Sequence, residues 1–211
     1  TFCPALYAGF KPEQHVIVQS ETDGPTSVYA ADLDGDGDMD VLSASRGSYD
    51  DELQRYVDSK IAWYANDGRG QFGPQQVITT EADCANCVYA ADLDGDGDLD
   101  VLSASCAWDY WGYYTDSKIA WYANDGTGQF GPQQVITTEA DGARCVCAAD
   151  LDGDGDLDVL SASSDDDKVA WYANDGMGQF GPQQVITTKA NGAHCVYAAD
   201  LDGDGDLDVL S

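Results

Sequence analysis

The chain has 211 residues, with 39 acidic against 9 basic side chains and a formal net charge of −30. That balance excludes nucleic acid, which needs clustered Lys and Arg to meet phosphate, and disfavours an anionic membrane surface. Hydrophobic residues still make up 43% of the chain and aromatics 10%, enough to build a core, and no apolar run nears the roughly 18–20 residues of a bilayer span, so no membrane insertion is expected.

The charge is concentrated in one string, Ala-Ala-Asp-Leu-Asp-Gly-Asp-Gly-Asp-(Met/Leu)-Asp-Val-Leu-Ser, beginning at Ala30, Ala90, Ala148 and Ala198 with spacings of 60, 58 and 50 residues. Taken in chain order, residues 1–19 hold a worn copy of the end of a unit, with Ala5–Phe10 standing for Ala-Trp-Tyr-Ala-Asn…Phe and His15–Gln19 for its last strand. The first full unit covers approximately 26–79 and carries an insertion, Arg46–Asp58, read as a solvated acidic loop in which Glu52–Val57 could make a helical turn. The second covers approximately 86–137 and divides into strands at Val88–Ala91, Val101–Ser105, Lys118–Ala123 and Gln134–Thr137, with a second insertion at Cys106–Tyr114. The third covers approximately 144–187 without insertion, and residues 194–211 supply the first two strands of another.

Gly and Asp cluster at the junctions while β-branched and aromatic residues fill the runs, which marks strands. The third strand is apolar on both faces, Ile119 and Trp121 one way and Ala120 and Tyr122 the other, so its sheet is expected to lie between two neighbours. The fold class expected is therefore all-β, a β-propeller of four-stranded blades with the Asp-rich loop between strands one and two; a linear solenoid is the alternative. The sequence opens at Thr1 without a signal peptide and stops at Ser211 within a repeat. A processed chain or a piece of a larger array is expected, the alternative being a closed ring in which 194–211 and 1–19 share a split blade.

Each Asp-rich loop places carboxylates at alternate positions, and its glycines permit the bend that makes them converge. The candidate metal ligands are Asp32, Asp34, Asp36, Asp38 and Asp40; Asp92, Asp94, Asp96, Asp98 and Asp100; Asp150, Asp152, Asp154, Asp156 and Asp158; and Asp200, Asp202, Asp204, Asp206 and Asp208. Calcium takes 6–8 hard oxygen ligands and suits this set; magnesium prefers fewer protein ligands. Side chains at positions one, three, five and nine and the carbonyl at position seven are assigned to about four structural Ca2+ ions, one per loop. An EF-hand is excluded, because position twelve is Ser103 where that motif needs Glu, and a strand follows at Val101-Leu102.

The nine-residue loop, the hydrophobic strand after it and the Gln-Phe-Gly-Pro segment resemble FG-GAP repeats of the VCBS-like kind, related to the blades of integrin α-subunit propellers. The resemblance extends over the chain after residue 10. It implies a propeller with calcium in the loop joining strands one and two, on the face opposite the usual ligand face. The insertions depart from that pattern, and nothing corresponds to an integrin partner domain.

Seven cysteines (3, 84, 87, 106, 145, 147 and 195) with two histidines do not form a zinc pattern and point to disulfides in an oxidising compartment. Cys84 and Cys106 could pair; Cys87, Cys145 and Cys195 occupy equivalent positions that could meet near the axis; buried thiols are the alternative. His15 and His194 are read as surface residues. The aromatic insertion with Trp108, Tyr110, Trp111, Tyr113 and Tyr114 is read either as a platform for a sugar or protein partner or as rings folded back over the blade. No catalytic constellation is found. The expectation is a non-enzymatic, calcium-stabilised scaffold for adhesion or assembly at the cell surface or outside the cell, with a glycan-binding lectin as the alternative. Its partners would be an extracellular protein or glycan, other copies, or further blades of the same chain.

Overall fold

The computed structural model describes residues 24–53, 55–108 and 114–211, together with Ile17. Every helix or strand among them is a strand. In the first unit β1 (Pro25–Ala31) and β2 (Asp40–Ser45) pair across the Asp-rich loop, a hairpin of β3 (Ser48–Asp50) and β4 (Arg55–Val57) follows, and β5 (Lys60–Tyr64) and β6 (Gln76–Thr79) complete a sheet in the order β1-β2-β5-β6. The second unit repeats this with β7 (Ala85–Ala91), β8 (Asp100–Trp108), β9 (Tyr114–Tyr122) and β10 (Gln134–Thr137), and the third with β11 (Ala143–Ala149), β12 (Asp158–Ser163), β13 (Lys168–Tyr172) and β14 (Gln184–Thr187). A final pair, β15 (Tyr197–Ala199) and β16 (Asp208–Leu210), begins a fourth. All neighbours are antiparallel, and the register repeats: Tyr29 faces Leu42, Tyr89 faces Leu102 and Cys147 faces Leu160. These are propeller-like blades. Residues 1–19, the expected other half of the fourth, lie outside the described residues apart from Ile17, and with them the ring closure that pairing would make.

The core sits between the blades. Leu42, Ile61 and Trp63 of the first blade meet Val88, Val101 and Tyr122 of the second. Leu102, Ile119 and Trp121 of the second meet Val146, Val159 and Tyr172 of the third. Thus β9 sends Tyr122 into one seam and Ile119 and Trp121 into the next, which explains why the Ile-Ala-Trp-Tyr run has no polar side. Full burial of each such side chain contributes about 1.5–3 kcal/mol. The neighbour provides the burial: Leu33 and Leu93 are 1% exposed, whereas the equivalent Leu201 in the last pair is 61% exposed.

Where they are described, both insertions carry strand. Arg46–Asp58 is largely exposed, as expected, but holds a β-hairpin, and Arg55–Val57, part of the expected helical turn, is strand β4. Tyr49 and Tyr56 pack edge to face across this hairpin at 5.3 Å, and Arg46 lies 5.8 Å from the Tyr56 ring centre. In the second unit β8 and β9 run past the sheet as a ribbon, pairing Ala107 with Thr115 and Trp108 with Tyr114.

Candidate metal-binding loops at the blade seams

The string Asp-Leu-Asp-Gly-Asp-Gly-Asp folds locally because its own carboxylates cap its backbone. In the second loop the Asp92 carboxylate accepts from Gly95 N at 2.8 Å and Gly97 N at 3.1 Å, Asp94 from Asp96 N at 3.3 Å, and Asp96 from Asp98 N at 2.9 Å. The first, third and fourth loops repeat the pattern. Gly95 and Gly97 have φ of 75° and 97°, where a side chain would be strained, so alternation of Asp with Gly is a requirement of the bend.

Three carboxylates per loop come within 4.8 Å of one another: Asp32, Asp34 and Asp36; Asp92, Asp94 and Asp96; Asp150, Asp152 and Asp158; Asp200, Asp202 and Asp208. Positions one and three belong to every cluster, and the third member is position five in two loops and position nine in the other two. The electrostatics are uncomfortable without a counterion. Burial, then the neighbouring acids Asp40 and Asp36, raises the Asp34 carboxyl above its ordinary value; burial and Asp96 do the same to Asp94.

Position nine has a structural task besides. Asp40, Asp100 and Asp158 are fully buried. Asp100 accepts from Leu93 N and Asn124 N, each at 2.9 Å, so one carboxylate ties the loop to the turn after β9. Burial pushes its carboxyl up to about 6 against the pull of those two hydrogen bonds. Asp40 and Asp158 make the equivalent pairs. Position seven points elsewhere: a Cβ added at Gly68, Gly126 or Gly176 would lie 2.4–2.5 Å from a carboxylate oxygen of Asp38, Asp98 or Asp156. In these three loops its side chain therefore covers the Asn-Asp-Gly turn and stands outside the clusters.

One participant was missed in the sequence. Asn124 donates from Nδ2 both to Leu99 O of its own loop at 3.0 Å and to Leu33 O of the preceding loop at 2.8 Å. Asn174 does the same to Leu157 O at 3.0 Å and Leu93 O at 2.7 Å. The first three candidate sites are thus bolted together across the two seams between complete blades. The signal was present as an Asn recurring one residue after every Ala-Trp-Tyr-Ala, where it reads as an ordinary turn residue.

The expected aromatic platform cannot be placed with these loops. Trp108 and Tyr114 pair through their backbones at the ribbon's end, and Tyr110, Trp111 and Tyr113 lie outside the described residues. Cys84 and Cys106 are buried thiols, and burial pushes Cys84 up to about 12. His194 is exposed, as expected; His15 lies outside the described residues. No described helix is long and apolar enough to cross a membrane.

The FG-GAP-like repeat family matches residues 7–43, 49–103, 109–161 and 150–211. The chain belongs to that family. No curated protein matches it. Among solved structures, one described as the basis of specific recognition of non-reducing terminal N-acetylglucosamine by an Agrocybe aegerita lectin is 22% identical, with a TM-score of 0.49, over 78% of this chain and 38% of that one. The chain therefore spans well under half of that protein's length.

Proposed function

We propose that this chain is a non-enzymatic, calcium-stabilised repeat scaffold serving adhesion or assembly at the cell surface or outside the cell. The observation that carries the reading is the recurrence, in all four units, of three carboxylates within 4.8 Å of one another, with the first two loops tied to the blade that follows. The donor set fits calcium, since hard oxygens dominate and no nitrogen or sulfur ligand enters the clusters. Bound calcium would supply positive charge between like-charged side chains. Positions one, three, five and nine would hold it, with the position-seven carbonyl, while position nine also holds the turn that fixes the seam. Such binding to the folded state alone becomes folding stability, about 2.7 kcal/mol per site at a hundredfold excess over Kd. Twenty of the 39 acidic side chains are committed to these loops, which supports a binding role over catalysis.

Calorimetric titration of the chelator-stripped chain with calcium, paired with thermal melts, tests this. Saturable binding of about four ions with a raised midpoint is expected. Identical melts in calcium and in chelator would overturn the reading. A glycan array probed with the calcium-loaded chain then separates the scaffold from its lectin alternative: specific glycan signal, lost in Trp108→Ala, favours the lectin.

A further inference from the structure

The innermost strands carry a second repeat, made of sulfur. Cys87, Cys145 and Cys195 hold one equivalent position in units two, three and four, and Ser27 holds it in unit one. The Cys87 Sγ lies 3.9 Å from the Cys145 Sγ, which lies 3.9 Å from the Cys195 Sγ. Each thiol reaches over its seam to the next blade, Cys87 to within 3.7 Å of Val146 O and Cys145 to within 3.8 Å of Val196 O. A three-coordinate metal site would need every sulfur near both others. Among the described residues, the groups with all ligand atoms inside 4.8 Å of one another are the four Asp clusters. The sulfur contacts are therefore pairwise, in a row, with Cys145 in the middle.

We propose that Cys145 is the shared partner of a cross-seam disulfide, formed with either Cys87 or Cys195, and that the bond migrates between the two seams by internal exchange. The oxidant is a low-molecular-weight disulfide. Cys195, the exposed member, loses its proton and attacks that disulfide, forming a mixed disulfide and expelling one small thiolate. Cys145, deprotonated, then attacks the Cys195 sulfur and expels the second. The two protein thiols are oxidised, and two small thiols leave carrying the two electrons and two protons. For migration the Cys87 thiolate attacks the Cys145 sulfur, the Cys87–Cys145 bond forms, and Cys195 departs as thiolate with no net oxidation. The Cys87 Sγ stands 3.9 Å from the Cys145 Sγ that it attacks, so the step needs little movement of the two strands. With three thiols and one bond, a nucleophile always remains beside the disulfide. The bond staples the second blade to the third, or the third to the fourth, and neither outcome depends on bound metal.

The test oxidises the full chain with glutathione disulfide, quenches in acid, alkylates the remaining thiols and maps tryptic peptides. Cleavage at Lys118, Arg144, Lys168 and Lys189 puts the three cysteines on separate peptides. Cross-links Cys87–Cys145 and Cys145–Cys195 are both expected. Cys195→Ser should leave only the first, Cys87→Ser only the second, and Cys145→Ser neither; Ser27 shows that this strand position accepts serine, and an unchanged melt verifies folding. The acid-trapped Cys145–Cys195 species, returned to about pH 8 without oxidant, should convert in part to Cys87–Cys145. Cys145 remaining alkylatable after oxidation, or cross-links surviving in Cys145→Ser, would overturn the pairing. A distribution that stays frozen on return to that pH would overturn the migration.

Discussion

Two carboxylates four positions apart in one loop do different work. Asp96 is exposed and its contacts stay within the loop, whereas Asp100 is fully buried and accepts backbone N–H groups from Leu93 and Asn124. Replacing a carboxylate oxygen with an amide group at Asp100 turns a donor towards a donor, and leaving a buried backbone N–H unpaired costs about 1–3 kcal/mol. Asp100→Asn should therefore lower stability by about 2 kcal/mol in chelator, and by more in calcium, where a ligand is lost as well. Asp96→Asn should be nearly silent in chelator and should lose part of the calcium-dependent increment. Denaturant melts of both variants under both conditions check this. Equal behaviour of the two would mean that position nine has no task beyond the cluster.

Between elements, the hydrogen bonds that matter most are those crossing a seam. Asn124 spans two loops from one amide, while Asn66, in the first described blade, donates to Met39 O alone at 2.9 Å among the contacts of its Nδ2 with described residues. Asn124→Ala leaves two carbonyls without this partner and should cost about 2–4 kcal/mol; Asn66→Ala should cost about 1 kcal/mol. Urea melts with an unchanged slope measure the difference, and equal losses would remove the cross-seam bond from the account. The strands themselves were legible in the sequence because apolar runs alternate with Asp-Gly punctuation, and Gln134–Thr137 was placed to the residue. The hairpin at Ser48–Val57 was not, since its stability comes from Tyr49 against Tyr56 and from Arg46, whose Nη2 donates to Asn86 Oδ1 of the next blade at 3.0 Å. Those contacts join residues that no local pattern connects. Asn124 escaped for the same reason, its second acceptor lying 91 residues away. The carboxylate clusters were legible because all their members fall within nine residues.

At the scale of the whole molecule, the net charge of −30 acts in two ways that salt can separate. Carboxylates within 4.8 Å of one another repel at a range far shorter than the Debye length, about 10 Å at 0.1 M salt, so added monovalent salt relieves them little. Repulsion between one loop and the next, and among the remaining surface acids, is longer in range and is screened. The chelated chain should therefore gain thermal stability as potassium chloride rises from about 20 mM to about 500 mM, and the calcium-loaded chain should gain less, four divalent ions having already offset eight charges. The gap between the two midpoints should narrow with salt yet persist, because coordination inside a loop is not replaced by a diffuse ion atmosphere. If the gap closes fully at high salt, calcium acts only as a general counterion, and the loops are acidic turns without sites. If it does not narrow at all, the long-range charge contributes nothing to stability, and the whole effect of calcium resides within the individual loops.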